Sequence, residues 1–292
     1  MNKKQIVAVV AVVAVMGYLY SLPVKGLIKP KEERAAPGKE AAAATQTVTN
    51  VDVNMVSEPA KSAIGPDLSN KIISLEGLLK KATSPGERQK LQLELAKQWD
   101  GVNQAAPAAF YYQDLAKAKN DFENWLNAGN RFNEAYKFTQ DTTLQPAFVN
   151  SAIQAFKKAR ALKPADLTAQ TGLGVAYVNQ TSLGMTDPEG GSPMQGITLL
   201  LDVVAKDPDN RSANLNLGQF AMKSGQYPKA VDRFKKMIAQ KEEVEPYFYL
   251  AESYKQLGQK QEAIAAYQKC KELMPDPTFG QRIDDYIKEL KN

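Results

Sequence analysis

From Leu68 onward, apolar residues recur at helical spacing with almost no strand signal. Leu68, Ile72, Leu75 and Leu79 are separated by four, three and four residues, the stripe of an amphipathic helix. Ser84, Pro85 and Glu87 then combine an N-cap, a proline at the first helical position and a capping-box glutamate, so a second helix is predicted through Leu91, Leu95 and Trp99. The pattern before Leu68 is different. Gln5 to Val24 (QIVAVVAVVAVMGYLYSLPV) carries no charge and is bounded by Lys3 and Lys4 on one side and Lys25 on the other. At ~1.5 Å per residue such a helix spans ~30 Å, the thickness of a bilayer's hydrocarbon core. Between Pro30 and about Pro66 the chain is low in complexity (AAPGKEAAAATQTVTN) and reads as a flexible spacer. Within the spacer, Thr47 to Val56 alternates, with Val51, Val53 and Met55 on one side; both a short strand added to a partner and coincidence account for it.

Internal repetition decides the architecture. Ala152, Phe156, Ala159 and Pro164 are separated by four, three and five residues, and Ala263, Tyr267, Cys270 and Pro275 keep those offsets. Gly196, Leu200, Val203 and Pro208 keep the spacing with other side chains, Ala230, Phe234 and Met237 keep it with Glu242 in place of proline, and Ala108, Tyr112 and Leu115 form a weaker copy. Each is preceded by a second signature: Gln92, Leu95, Ala96, Trp99; Trp125, Ala128, Gly129, Phe132; Gln170, Leu173, Gly174, Tyr177; Asn214, Leu217, Gly218, Ala221; and Tyr247, Leu250, Ala251, Tyr254. A small residue lets two antiparallel helices approach closely, an aromatic ring one turn away fills the space beside it, and proline stops the second helix.

With these residues in phase, the chain resembles the tetratricopeptide repeat (TPR) family, whose signature of Trp, Leu-Gly, Tyr, Ala, Phe, Ala and Pro it carries in pieces over about residues 89 to 277. The fold expected is all-α: a TPR-type solenoid of helical hairpins over 68–292, with repeats at about 89–121, 122–164, 167–208, 211–243 and 244–277. Phe279 to Leu290 supplies a capping helix, at 279–291, that covers the last apolar face. An N-terminal membrane anchor (1–25) and a flexible linker (26–67) precede it.

The first-helix small residues Ala96, Gly129, Gly174, Gly218 and Ala251 are spaced by 33, 45, 44 and 33, so two neighbouring repeats hold extra residues. They fall in the turn within each hairpin and read as loops at Thr139 to Phe148 and Met185 to Met194. Side by side on one edge, the two loops would form a partner-specific ledge; neutral growth at a tolerant site is the competing reading. The resemblance also implies a concave groove lined by the first helices. By spacing from each small residue its candidate binding positions are Asn130, Asn133, Asn179, Gln219, Met222, Lys223, Phe248, Glu252 and Lys255. Such amide, apolar and mixed charged groups suit an extended peptide or a helix. The Lys, Asn and Arg carboxylate clamp of TPR co-chaperones is absent at matching places.

Composition narrows the function. The 292 residues contain no histidine and one cysteine, Cys270, which removes the commonest general base, the commonest metal ligand and any thiolate zinc cluster. Neither G-x-x-x-x-G-K-[ST] nor G-x-G-x-x-G occurs. No catalysis, cofactor or small-molecule substrate is expected. The net charge is +5, but residues 1 to 34 hold six of the 37 basic and two of the 32 acidic side chains, leaving the remainder near neutral, against nucleic-acid binding. Three readings of Gln5 to Val24 compete. A cleaved signal would end in small residues, whereas this run ends in Tyr18, Leu19, Tyr20, Ser21, Leu22 and Pro23, and a buried core helix would need partners the spacer does not offer. The expectation is a single-pass cell-membrane anchor, the Lys and Arg count leaning slightly toward a cytoplasmic solenoid. The chain is expected to act as a membrane-tethered scaffold or adaptor for a protein or peptide. The alternatives are a secreted or periplasmic TPR carrier released by cleavage and an RNA-associated scaffold.

Overall fold

The computed structural model describes residues 50–185 and 193–291, and all regular elements among them are helices. Thirteen α-helices follow one another among these residues: α1 (Val53–Ala63), α2 (Pro66–Lys81), α3 (Pro85–Gly101), α4 (Ala105–Lys119), α5 (Phe122–Phe138), α6 (Gln145–Leu162), α7 (Leu167–Ser182), α8 (Pro193–Lys206), α9 (Arg211–Lys223), α10 (Tyr227–Gln240), α11 (Val244–Gln256), α12 (Lys260–Leu273) and α13 (Pro277–Lys291). Sequential helices pack as antiparallel neighbours, pairing α3 with α4, α5 with α6, α7 with α8, α9 with α10 and α11 with α12, as the repeat phase requires. The membrane anchor predicted at 1–25 lies outside the described residues. Among those described, no helix is long and apolar enough to cross a membrane.

Local chemistry sets most helix ends. Ser84 Oγ accepts from Glu87 N, Asp121 from Asn124 N, Asp166 from Ala169 N and Asn210 from Ala213 N, each occupying an orphan donor of the first turn. Helices α6, α8 and α12 stop just short of Pro164, Pro208 and Pro275. Helix α10 stops at Gln240 without a proline, and there Arg211 of the preceding helix donates to the terminal carbonyl of Met237 at 2.7 Å. In the two short hairpin turns Gly225 and Gly258 sit at φ +74° and +72°, the left-handed region in which a side chain would be strained.

The core runs along the stack as adjoining clusters because each hairpin is covered by its neighbours. Its tightest points are the small residues. A Cβ at Gly196 would stand 2.6 Å from the Gly174 carbonyl oxygen and 2.9 Å from Val178 N, so α7 and α8 meet backbone to backbone. Phe156, fully buried, drives its ring between α5 and α7: a Cβ on Gly129 would lie 2.8 Å from it and one on Gly172 only 2.2 Å.

Two expectations need correction. Val53–Ala63, placed by sequence in the flexible linker ending at 67, is helix α1; the alternation around Val53 and Met55 is therefore not a strand, and Thr47 to Thr49 lie outside the described residues. Asp52 caps α1 by accepting from Asn54 N at 2.8 Å, and the helix buries Val56, Ser57 and Ala60 against the first hairpin. Lys61 bridges to Glu76 of α2 at 2.9 Å, and Glu76 also accepts from the Tyr111 hydroxyl of α4. Val53, Val56 and Ala60, spaced by three and four, give the segment a helical apolar face, and its burial against the first hairpin holds the helix in spite of the proline at 59. Second, the insertion read as a loop at Thr139 to Phe148 is largely helical: Gln145 to Phe148 form the first turn of α6, and Phe148, 1 % exposed, stacks on Phe132 at 6.4 Å. Thr139 to Leu144 is a short connector containing a 3-10 turn held by Asp141, which accepts from both Thr143 N and Thr143 Oγ1. Most of the second insertion, 186–192, lies outside the described residues.

The contrast between glycines is testable by urea unfolding. Gly196→Ala is expected to destabilise by roughly 1–3 kcal/mol because the new methyl meets backbone that cannot rotate away. Gly77→Ala, in the open middle of α2 with nothing within 4 Å, is expected to stabilise by about 0.5–1 kcal/mol. Equal effects at both positions would contradict the close helix approach.

Candidate peptide-binding groove

The first helices α5, α7 and α9 place one face each along a cleft of about 920 Å³, with Tyr249 of α11 at its C-terminal limit. Of the nine positions predicted from repeat phase, Asn130, Asn133, Asn179, Gln219, Met222 and Lys223 all line it. The repeat spacing brings them together because residues one turn apart on successive first helices face the same way once the hairpins stack.

These six differ in availability. Asn133 is committed to the scaffold: its Nδ2 donates across to the Gly172 carbonyl of α7 at 3.1 Å, tying two repeats together where Phe156 forces the backbone close. Among the described residues, Asn130 and Asn179 have no side-chain hydrogen-bond partner, and Gln219 faces the Tyr249 phenol. Met222 is half-buried against the C-terminal core cluster. Lys223, exposed in the last turn of α9, has no ion-pair partner among the described residues.

Sequence spacing missed several lining groups. Asn127 and Lys137 extend the α5 face, Thr168 the α7 face, and Arg211 and Asn216 the α9 face, whereas Thr171 and Leu215, which also line the cleft, do follow from spacing to Gly174 and Gly218. Thr171 and Asn216 return their hydrogen bonds to their own helices, to Leu167 O and Ser212 O. Arg131 is held by Asp100 at 2.7 Å and Glu134 at 2.6 Å, and the Tyr112 hydroxyl also donates to Asp100. Burial and that bond push the Tyr112 phenol up to about 12. Arg211 pairs with Glu243 at 2.6 Å; Lys241 and Arg211, both donating to it, hold the Glu243 carboxyl below its usual range. Burial pushes the lining phenols of Tyr136 and Tyr249 up from their ordinary value, and the charged side chains that line the cleft are Lys, Arg and Glu.

The three predicted positions on α11 do not join the cleft. Phe248 packs with Tyr249, Tyr267 and Tyr286 at centroid distances of 6.0 Å, Glu252 accepts from the Tyr267 hydroxyl, and Lys255 pairs with Glu289 at 3.3 Å while lying over the Tyr286 ring. Tyr286 and Glu289 belong to α13. The capping helix therefore occupies the face that a sixth hairpin would cover and engages Phe248 and Lys255, while Glu252 is taken up by Tyr267 of α12 within its own hairpin. Cys270 is buried in the same cluster and its thiol is pushed up to about 12 by burial, the environment of an inert core residue.

Comparison with known proteins agrees with this geometry. Residues 244–277 and 189–245 match models described as tetratricopeptide repeat. No curated protein sequence matches the chain. Among solved structures, TTC0263, described as a thermophilic TPR protein in Thermus thermophilus, is 22 % identical with a TM-score of 0.52; the match covers 69 % of this chain and 98 % of that one. A chain of the APC/C heterotetramer Cut9–Hcn1 is 15 % identical with a TM-score of 0.53 over 76 % of this chain and 40 % of its own length. At these identities the likeness is one of fold.

The cap predicts a pH signature. Burial, and then donation to the Glu252 carboxylate, hold the Tyr267 phenol above its ordinary value, so the stabilisation is complete below about pH 10 and lost as pH rises toward the folded value. Tyr267→Phe is expected to lower stability by about 1.5–3 kcal/mol at pH 7, the usual range for a bond to a charged group. Between pH 9 and 11.5 its urea midpoint should fall less than that of the wild type; parallel curves would show that the buried setting of Tyr267 beside Glu252 does not raise its phenol.

Proposed function

Since this chain is a tetratricopeptide-repeat protein, we propose that it works as an adaptor that holds an extended polypeptide segment in the cleft of α5, α7 and α9, tethered to a membrane by Gln5 to Val24. The observation that carries the reading is the convergence on one open cleft of Asn127, Asn130 and Asn179, whose side-chain amides have no partners among the described residues. An amide offers one acceptor and two donors, the complement of a peptide group, so amides spaced along a groove bind a main chain with little demand on its side chains. Leu215 and Met222 supply apolar surface for alternate side chains of the bound segment. The cleft, rather than a ledge of two loops, is the binding surface in this reading, because the end of the first insertion is built into α6. The tether rests on sequence: an uncharged run of bilayer length, flanked by lysines and with Tyr18 and Tyr20 near its end, where amphipathic rings suit the headgroup layer. Anchoring confines partner search to the membrane surface and raises the local concentration of anything held there.

Photo-crosslinking residues placed in turn at Asn130, Asn179 and Gln219 of the chain in intact cells test the groove. Adducts from all three are expected to map to one contiguous stretch of one polypeptide, and a probe at Lys255 is expected to give none from it. Adducts scattered over unrelated sequences would overturn the reading. Alanine at Asn130 and Asn179 together is expected to weaken binding of that stretch by roughly ten- to a hundredfold, about 0.5–1.5 kcal/mol for each lost bond. For the tether, retention in membranes through alkaline carbonate extraction with Met1 intact is expected; a mature chain lacking residues 1–24 would replace anchoring by release.

A further inference from the structure

We propose that the segment held in this groove is acidic. The inference rests on the peptide-groove reading and adds to it the charge of the ligand. Glu134, the carboxylate that lines the cleft, pairs with Arg131, which Asp100 also holds, and Glu243 pairs with Arg211 and Lys241; among the described residues Glu245, close enough to act on the Tyr249 phenol at the C-terminal limit, is a carboxylate without a partner. Two lining cations are left over among the described residues. Lys137 and Lys223 line the cleft, are exposed, and have no carboxylate partner there; the Lys137 ammonium lies over the exposed Phe138 ring, 5.4 Å from its centroid, a contact that leaves its charge unneutralised. Both stand in the last turn of a first helix, so they share the rim at which α5 and α9 end, with the unbonded amide of Asn179 at the end of α7 between them in chain order. A main chain lying on the amides would carry its carboxylates toward that rim. The charge is local: the chain beyond residue 34 is nearly neutral, so the excess belongs to the cleft and not to the surface at large.

A polypeptide fits these groups better than a single-stranded nucleic acid. Phosphates only accept hydrogen bonds, which leaves half of each amide unanswered, and stacking of bases needs free aromatic faces. Tyr249 already stacks one ring face on Phe234 at 5.5 Å.

The experiment uses the full-length chain in a nonionic detergent that accommodates residues 5–24. Fluorescence anisotropy is read for three labelled peptides of one design and about a dozen residues, alternating serine with glutamate, glutamine or lysine, and for a uridine oligomer of the same length. The glutamate peptide is expected to bind about tenfold more tightly than the glutamine peptide, and the lysine peptide more weakly still, as two or more exposed ion pairs would give. The preference should shrink in roughly half-molar salt and reverse in Lys137→Glu/Lys223→Glu, whose helicity is checked by circular dichroism. Both substitutions lie on exposed side chains, so the fold is expected to persist. Equal binding of the glutamate and glutamine peptides would overturn the acidic preference and leave the groove reading standing. Failure of all three peptides to bind would overturn both. Tighter binding of the uridine oligomer than of any peptide would assign the cleft to nucleic acid instead.

Discussion

Close approach of helix backbones is the constraint on which the rest of the molecule depends. Helices α7 and α8 meet where Gly174 faces Gly196, and the ring of Phe156 fills the space that Gly129 and Gly172 leave open. Because no side chain separates them, the distance between these helices is set by van der Waals contact rather than by adaptable packing. A ridge one methyl larger at either point would tilt one hairpin on the next. The groove is a consequence of this geometry, since its walls are the first helices of successive hairpins and their separation follows from how tightly each hairpin closes.

Polar bonds between repeats, and between the two helices of one hairpin, then fix the register. Asn133 reaches from α5 to the Gly172 carbonyl, Arg211 reaches from α9 to the end of α10, and Arg233 of α10 donates back to the buried Asn214 of α9. Each joins one particular donor to one particular acceptor on the facing helix, so these contacts specify which turn lies opposite which, beyond any net stabilisation they add. Both ends of the array are closed by helices that do not follow the repeat. At the N-terminal end α1 and α2 join the first hairpin through Lys61, Glu76 and Tyr111; at the C-terminal end α13 covers Phe248 and Tyr267. Closure at both ends leaves the middle repeats as the part of the concave face still open to a ligand.

Within that open part the division of labour is physical. Amides that bond to their own helix or across repeats hold shape, and amides without partners among the described residues remain for recognition. Arginines clamped by carboxylates stiffen the walls, whereas Lys137 and Lys223 set the sign of the rim.

The chain's own pattern determined the hairpins. Residues at 3.6-residue period, a small residue matched to an aromatic one turn away and a proline after the second helix are local signals, and they located α2 through α13, the last of these the cap, and groove positions such as Asn130 and Asn179. What the tertiary structure alone decided follows from contacts between residues far apart in sequence. Val53–Ala63 is helical because the first hairpin offers it a buried face, and Gln145 to Phe148 extend α6 because Phe148 finds Phe132. Phe248, Glu252 and Lys255 have the same phase as true groove residues, and nothing local distinguishes them. Phe248 and Lys255 leave the groove because α13 folds back upon them, and Glu252 because Tyr267 of α12 bonds to it; spacing within a repeat carries no information about which neighbour will cover its surface.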